Sequence, residues 1–255
     1  MIDKIHPDDT MYHGNLEAYF KTSTSALNAI ERALAGALNP DAKINSILDF
    51  GCGYGRVLRA IKNRWPEADL TVCDLIKPAV DFCAETFNAT PIYGDENLTE
   101  TGHEDRFDLI WVGSVFTHLP QAAWPHMLAY LARHLRLDGT LVFTTHGRTS
   151  QWVFENHSLT KSHITQEDFT KSKEDMAATG FAFLPYSTGM INHISNKTGA
   201  QVTEGLYGVS FSTPEWVMGQ VAQVPELTVQ GYSEGGWGKN HDIVCVTKPR
   251  DLRIV

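Results

Sequence analysis

The chain has 255 residues, of which 42% are hydrophobic and 20% charged, a composition typical of a globular protein that buries a full core. Its formal net charge of −9 disfavours electrostatic binding to nucleic acid, because phosphate contacts need a basic surface. No apolar run approaches the roughly 18 residues that a membrane-spanning helix requires, so we expect no integral membrane segment.

The first part of the chain predicts a helical cap. The opening segment MIDKIHPDDTMYHGN has neither the basic and then apolar pattern of a secretory signal nor the arginine-rich pattern of a transit peptide, so we expect a cytoplasmic location. Residues 16–38 carry apolar side chains at helical spacing and end before Asn39 and Pro40, a pair that stops a helix. Residues 1–43 are therefore predicted to form an N-terminal helical cap.

A glycine-rich turn follows the first predicted strand. Residues 44–50 form an apolar run that stops at Gly51, Gly53 and Gly55, after which the apolar residues again have helical spacing. This pattern predicts a strand, a tight turn and a helix. Glycines at these positions let a nucleotide-like cofactor approach the main-chain N–H groups closely.

The sequence of this turn indicates which cofactor is expected. Its spacing is G-x-G-x-G, and Arg56 stands where a dinucleotide fingerprint would have its third glycine. Asp49 would repel a pyrophosphate but suits a cofactor that carries an ammonium group, as S-adenosylmethionine does. The segment resembles the first motif of class I S-adenosylmethionine-dependent methyltransferases, an acid followed by G-x-G-x-G. This resemblance implies that the cofactor binds at Asp49, Gly51, Cys52, Gly53 and Gly55.

The resemblance also gives a role to the helix that precedes the first strand. Leading helices of such methyltransferases often close over the methionine end of the cofactor, which makes Tyr19 a candidate contact. Packing of Tyr19 and Phe20 onto the core is an equally good interpretation.

The second predicted strand, residues 68–74, ends in Asp74. In a doubly wound sheet this end lies beside the first strand, so Asp74 can accept hydrogen bonds from both hydroxyls of a ribose. Leu75 would then pack on the adenine. The open alternative is that Asp74 only caps the next helix.

A helix over residues 78–87 and a short third strand over residues 90–93 follow. The family often places an acid after this strand to bind the adenine amino group. The resemblance therefore implies Asp95, with Glu96 beside it, as a cofactor contact. A simple turn made by Gly94 and Asp95 is the alternative.

Residues 107–112, FDLIWV, are apolar except for Asp108, as expected of a buried central parallel strand. They run into the segment VFTHLP, which is similar to one that follows the fourth strand in many small-molecule methyltransferases. This resemblance implies that the end of the fourth strand borders the methyl group of the cofactor, at Gly113, Ser114 and Val115.

A helix over residues 121–137, a turn at Asp138 and Gly139, and a fifth strand over residues 140–145 come next. They complete an alternation of helices with five parallel strands. The cofactor-binding core is therefore predicted to span residues 44–146.

The pattern becomes more polar beyond the fifth strand. Residues 147–212 are predicted to be an inserted lid or acceptor-binding region. A helix over residues 165–179 is expected there, and strands over residues 181–186 and 206–211 could pair as an antiparallel extension.

Residues 213–255 are predicted to close the fold with a helix and antiparallel strands at residues 227–232 and 243–247, joined by a glycine-rich loop at residues 231–239. We therefore expect a single α/β domain with helices on both faces of a seven-stranded doubly wound sheet. The resemblance implies the strand order 3-2-1-4-5-7-6, with the last strand antiparallel.

Histidines supply the candidate catalytic groups. Methyl transfer to a hydroxyl is an in-line displacement that benefits from a base near the reacting oxygen. His118 and His146 follow the fourth and fifth strands, where ligands lie in such sheets, and His241 precedes the last strand. We take His146 and His118 as the candidate bases, although each also fits an ordinary structural role.

Neither metal nor disulfide chemistry is expected. The 11 histidines have no metal-ligand spacing, and the four cysteines contain no C-x-x-C pair. We expect no metal site, and cysteines that are reduced and structural.

The segments TTHG, YG-x-S-F-S-x-P-E-W and GWGKNHDIVCV extend the resemblance to bacterial methyltransferases of the broad type 11/type 12 group. This implies O-methylation of a small-molecule acceptor such as a sugar or a glycosylated metabolite, without nucleic-acid or membrane partners. Two alternatives stay open: an NAD(P)-binding oxidoreductase, and a non-catalytic module that binds S-adenosylmethionine. The oligomeric state is not predicted.

Overall fold

The computed structural model describes residues 2–37, 42–94, 106–158, 164–200 and 202–250. Its strands are β1 Ser46–Phe50, β2 Asp69–Asp74, β3 Thr90–Tyr93, β4 Phe107–Val112, β5 Leu135–His146, β6 Phe181–Pro185, β7 Gly208–Ser212, β8 Thr228–Trp237 and β9 His241–Thr247. Seven of them form one sheet in the order β3-β2-β1-β4-β5-β9-β8, in which β9 is antiparallel to β5. The predicted fold class and strand order are confirmed.

The described ranges contain α1 Leu16–Ala35, α2 Leu58–Arg64, α3 Lys77–Phe87, α4 Trp124–His134, α5 Arg148–Val153, α6 Gln166–Thr179, α7 Thr188–Thr198 and α8 Pro214–Val221. Helices α1, α2 and α3 pack on one face of the large sheet, whereas α4 and α8 pack on the other. None of these helices is long and apolar enough to cross a membrane.

The central strands are apolar on both faces because each face is covered by helices. Along β4, Ile110 and Val112 belong to the core beneath α4, while Leu109 and Trp111 belong to the core beneath α1, α2 and α3. This alternation is what a parallel strand between two helical layers requires. It explains why a run that is apolar except for Asp108 predicts the bounds of β4 correctly.

The segment between α4 and β5 differs from the prediction. The expected helix over residues 121–137 is a 3₁₀ turn at Gln121–Ala123 followed by α4, and the chain enters β5 at Leu135. Leu135 is buried and pairs with Phe107, so burial favours an extended backbone there. The expected turn at Asp138 and Gly139 lies inside β5, where the β4–β5 register shifts and Asp138 has a φ of 66°.

The region beyond β5 contains more regular structure than the sequence analysis predicts. Strands β6 and β7 do pair antiparallel, but they form a separate two-stranded sheet. Helices α5 and α7 are unpredicted because both are short and polar, although Ser187 and Gly199 cap α7 in the ordinary way. The expected glycine-rich loop at residues 231–239 is mostly strand, since β8 continues to Trp237.

An N-terminal strap, residues 2–12, is held against the core by the buried side chain of Arg59. Arg59 is 1% exposed and donates hydrogen bonds to the carbonyl oxygens of Ile2 at 2.8 Å, Lys4 at 3.3 Å and Gly55 at 3.1 Å. The rings of Tyr19, Phe20 and Phe87 surround its guanidinium at 5.2–5.8 Å. One buried cation therefore ties the strap to the glycine turn.

We expect Arg59→Ala to lower the free energy of unfolding by roughly 2–4 kcal/mol, because three carbonyl groups lose a charged donor. Urea denaturation measures this change. The matched control is Arg64→Ala on the same helix, whose side chain makes an exposed ion pair with Glu31, and we expect less than about 1 kcal/mol there. Equal effects of the two substitutions would contradict the anchoring role of Arg59.

Candidate active site

A cavity of about 300 Å³ lies at the carboxyl ends of β1, β2 and β4. This is the edge at which open α/β sheets bind their ligands. The glycine turn and the residues that follow β4 form part of its wall. The N-terminal strap contributes residues 8–11, and the inserted region contributes Thr198, Val202, Thr203, Leu206 and Tyr207.

The glycine turn combines close packing with an open face. Gly51 and Gly55 have φ values of 82° and 76°, and a Cβ atom on either would lie 2.4–2.5 Å from the side chain of Val115 or Phe87. Gly53 also has a positive φ, 48°, but nothing lies within 4 Å of where its Cβ would stand. Gly51 and Gly55 are thus required by packing and backbone conformation, whereas the space over Gly53 is free for a ligand.

Asp74 connects this turn to the end of β2. Its Oδ2 accepts a hydrogen bond from the N–H of Gly53 at 2.7 Å, and its Oδ1 accepts one from the N–H of Ile76 at 3.0 Å. Burial raises the pKa of Asp74, and the backbone hydrogen bonds oppose that rise. Each oxygen keeps acceptor capacity, so the helix-capping and ribose-binding interpretations are compatible. The ribose role stays a prediction.

Asp49 is a buried carboxyl group whose charge is not compensated. It is 2% exposed, and its Oδ2 has no hydrogen-bond partner among the residues that the structure describes. Burial, and secondarily the negative charge of Asp74, raise the pKa of Asp49 from 3.8 to about 8. Because an unpaired buried carboxylate is costly, this part of the cavity favours a ligand that carries a positive charge.

The turn after β4 holds a residue in an uncommon conformation at the cavity wall. Ser114 has a φ of 61°, and its N–H donates to Oγ1 of Thr144 at 2.8 Å. The Ser114 hydroxyl lies 3.3 Å from Oγ1 of Thr117 and 3.3 Å from Nε2 of His241. A left-handed serine fixed on several sides is typical of a residue placed for function.

His118 lines the cavity in a defined protonation state. Its Nδ1 lies 2.7 Å from the carbonyl oxygen of Gly208, and since a carbonyl can only accept, Nδ1 must carry the proton. The imidazole stacks on Tyr207 with ring centroids 4.9 Å apart. Burial lowers the pKa of His118, so the ring is neutral near pH 7 and the lone pair resides on Nε2.

His146 is placed differently from the expectation for a base. It is absent from the cavity lining and packs between Phe211, with centroids 5.8 Å apart, and His241, at 4.8 Å. Burial and the neighbouring histidines hold the pKa of His146 well below its usual range. A general base must reach the reacting proton, so this position argues against His146 in that role.

The cavity brings together ten of the residues predicted from sequence: Asp49, Gly51, Cys52, Gly53, Asp74, Leu75, Gly113, Ser114, Val115 and His118. Gly55 packs beneath the turn rather than lining the cavity. Tyr19 is also off the cavity, because it is buried with its hydroxyl donating to Asp9 at 2.6 Å, so its packing interpretation fits better than cofactor contact. Asp95 and Glu96 lie outside the described residues.

The sequence analysis does not assign several lining residues to the site, including Asp8, Asp9, Met11, Tyr54 and Arg56. The strap residues carry no motif that would place them over the cavity. The sequence does hold a signal for Arg56, because a cation that directly follows the glycine turn lies next to the bound ligand.

Comparison with known proteins assigns this arrangement to a family. Residues 47–139 match a family model described as a methyltransferase domain. A malonyl-[acyl-carrier protein] O-methyltransferase of Acetivibrio thermocellus is 27% identical over 135 residues, which make up 52% of this chain and 46% of that protein. A ribosomal RNA small subunit methyltransferase C of Klebsiella pneumoniae is 33% identical over 124 residues, or 47% of this chain and 36% of that protein.

Among solved structures, an S-adenosylmethionine-dependent methyltransferase from Clostridium acetobutylicum aligns with a TM-score of 0.55 at 12% identity, covering 90% of this chain and 92% of the other. That similarity shows a shared fold. The sequence matches span less than half of the two curated relatives, 46% and 36% of their lengths.

Residues 47–139 match a methyltransferase domain, and the motifs and strand order of the chain are those of class I S-adenosylmethionine-dependent methyltransferases. S-adenosylmethionine is the cofactor of this family. The cavity fits it in two observed respects: the space over Gly53 is open, and the unpaired Asp49 carboxyl group can meet the cofactor's ammonium group.

We expect binding of S-adenosylhomocysteine to release up to about one proton per ligand at pH 7, because an ammonium group beside Asp49 returns its raised pKa, about 8, towards the ordinary value. Below pH 8 the free carboxyl group is protonated and must ionise on binding. Affinity should therefore rise with pH between 6 and 8, by at most roughly tenfold per unit.

Calorimetric titration in buffers of different ionisation enthalpy measures this proton release. In Asp49→Asn the release from this group should disappear and the pH dependence should flatten. A parent protein with no proton release, or a variant that releases as many protons as the parent, would exclude Asp49 as the titrating group.

Proposed function

We propose that this chain is an enzyme that transfers the methyl group of S-adenosylmethionine to a hydroxyl oxygen of a small-molecule acceptor. The observation that carries the proposal is His118, a neutral imidazole of fixed tautomer on the wall of the cofactor cavity. A hydroxyl acceptor needs a base, since the oxygen must lose its proton as it attacks the methyl group.

His118 is suited to accept that proton at Nε2. In the part of the chain that the structure describes, Nε2 of His118 makes no hydrogen bond, so it is available to an acceptor hydroxyl. The Gly208 carbonyl oxygen, 2.7 Å from Nδ1, would stabilise the imidazolium that forms. The reaction then leaves a methyl ether, S-adenosylhomocysteine and a protonated His118.

The remaining cavity wall favours an acceptor with an apolar face. Beyond the cofactor residues, the apolar part of the wall includes Met11, Leu119, Val202, Leu206 and Tyr207. Met11 and Leu206 are 50% and 49% exposed, an arrangement that an apolar ligand would cover favourably. This supports a glycosylated or otherwise mostly apolar metabolite better than a free sugar, which would need more hydrogen-bond partners.

One relative is named as a methyltransferase of ribosomal RNA. The negative charge of the present protein argues against an RNA acceptor. The net charge of −9 and the presence of Asp8 and Asp9 on the cavity wall oppose phosphate binding. Asp74 likewise opposes the pyrophosphate of a nicotinamide cofactor. A small, uncharged acceptor agrees better with these groups.

We expect His118→Gln to lower kcat by roughly 10²- to 10⁴-fold while leaving the affinity for S-adenosylhomocysteine nearly unchanged, because only proton transfer is lost. Single-turnover transfer from methyl-labelled cofactor to a panel of hydroxylated acceptors measures this effect. The control is His126→Gln, an exposed histidine of α4, which should keep the parent rate.

Two outcomes would contradict the proposed reaction. Methyl label found only on nitrogen or carbon acceptors would exclude hydroxyl methylation. A His118→Gln variant that turns over at the parent rate would indicate an acceptor that needs no base, such as the carboxylate implied by the name of the malonyl-[acyl-carrier protein] relative.

The inserted region, residues 147–212, is proposed to cover the acceptor. It supplies Thr198 at the end of α7, and Leu206 and Tyr207 before β7, to the cavity wall. We expect hydrogen exchange in α7 and residues 202–207 to slow when cofactor and acceptor are both added. The strands β1 and β4 serve as the internal control, and exchange that is equally slow before and after addition would contradict the proposal.

A further inference from the structure

Arg56 is a cation in the cavity wall that the family motif does not explain. It is partly buried and lines the same cavity as Asp49, Gly51 and Gly53. Within the described ranges, no hydrogen bond or ion pair satisfies its guanidinium group. A guanidinium group held in a cavity without a partner is a ready site for a carboxylate or a phosphate.

Asp9, whose charge acts on Arg56, makes no ion pair with it among the described residues, because both of its oxygens accept from other donors. These donors are the hydroxyl of Tyr19, at 2.6 Å, and the N–H of Met11, at 2.9 Å. Burial lowers the pKa of Arg56, while the charges of Tyr19 and Asp9 oppose that change, and the group stays protonated at neutral pH.

We propose that Arg56 binds the carboxylate of the cofactor's methionine moiety while Asp49 binds its ammonium group. An amino-acid zwitterion carries one positive and one negative charge. Asp49, before the glycine turn, is a partner for the ammonium group, and Arg56, after the turn, is a partner for the carboxylate. The planar guanidinium group can meet a carboxylate through two parallel hydrogen bonds. The inference rests on the proposed cofactor-dependent function and names the residue that binds the carboxylate at the amino-acid end of the cofactor.

A free phosphate or pyrophosphate is the other chemistry that an arginine could take. Here Asp8, Asp9 and Asp74 line the same cavity, and together they would repel a dianion. A single carboxylate with an ammonium group two bonds away satisfies Arg56 and Asp49 at once. The local charge pattern therefore favours an amino acid over a phosphate.

The test compares two ligands that differ only in the carboxylate: S-adenosylhomocysteine and its decarboxylated analogue, in which the ammonium group remains. Calorimetric titration gives both affinities for the parent protein and for Arg56→Gln. We expect the parent to prefer S-adenosylhomocysteine, and Arg56→Gln to bind it roughly 10- to 100-fold more weakly, as for loss of a charged hydrogen-bond partner. Affinity for the analogue should not fall, so the preference disappears.

Arg64→Gln is the matched control, because Arg64 lies on the adjoining helix α2 and pairs with Glu31 at the surface. It should keep the parent preference. Arg56→Lys keeps the charge without the planar fork and should retain part of the preference, which also gives a readout if Arg56→Gln fails to fold by circular dichroism.

The results separate this inference from the proposed function. A parent protein that binds neither ligand would overturn the cofactor-dependent function itself. A parent that binds S-adenosylhomocysteine, with both ligands weakened equally by Arg56 substitutions, would leave the function in place and overturn the role of Arg56. Tighter binding of inorganic pyrophosphate than of S-adenosylhomocysteine to the parent would also overturn it.

Discussion

The hydrogen bond from the Gly53 N–H to the Asp74 carboxylate joins the two strand ends on which the site depends. It fixes the glycine turn after β1 against the end of β2, and the parallel pairing of Phe50 with Cys73 brings these ends together. The bond opposes the rise in the pKa of Asp74 that burial causes. Burial first, and the negative charge of Asp74 second, raise the pKa of Asp49 in the same cavity. The contact thus fixes the shape of the turn and favours the charge that acts on Asp49.

The raised pKa of Asp49 links the stability of the fold to ligand binding. The pKa of the Asp49 carboxyl group is about 8 in the folded protein, above its ordinary 3.8. The free energy of unfolding of the ligand-free protein therefore falls as the pH rises from about 4 towards 8, because this group ionises more easily in the unfolded chain. A bound ammonium group removes that cost. Arg56, a partly buried cation, lines the same cavity, so a zwitterionic ligand would bring a partner for the carboxyl group and a partner for the guanidinium group.

The sequence predicts features that depend on local pattern. It does not predict which way a side chain points where that depends on tertiary pairing. Residues 107–112 and the glycine turn follow from apolar runs and backbone requirements, and both lie where expected. His146 also ends its strand as predicted, but it pairs with His241 of β9 and packs towards Phe211. Position along a strand does not reveal which face a side chain takes once an antiparallel neighbour and an inserted sheet cover it.

The inserted region contributes more to the site than a covering surface, because its backbone sets the tautomer of His118. The Gly208 carbonyl begins β7, and its place is fixed by pairing with Pro185 of β6. A Cβ at Gly208 would lie 2.2 Å from the Leu184 carbonyl oxygen, so the close approach of the two strands requires glycine there. The two-stranded sheet, which sequence patterns describe only as an antiparallel extension, therefore determines which nitrogen of His118 carries the proton.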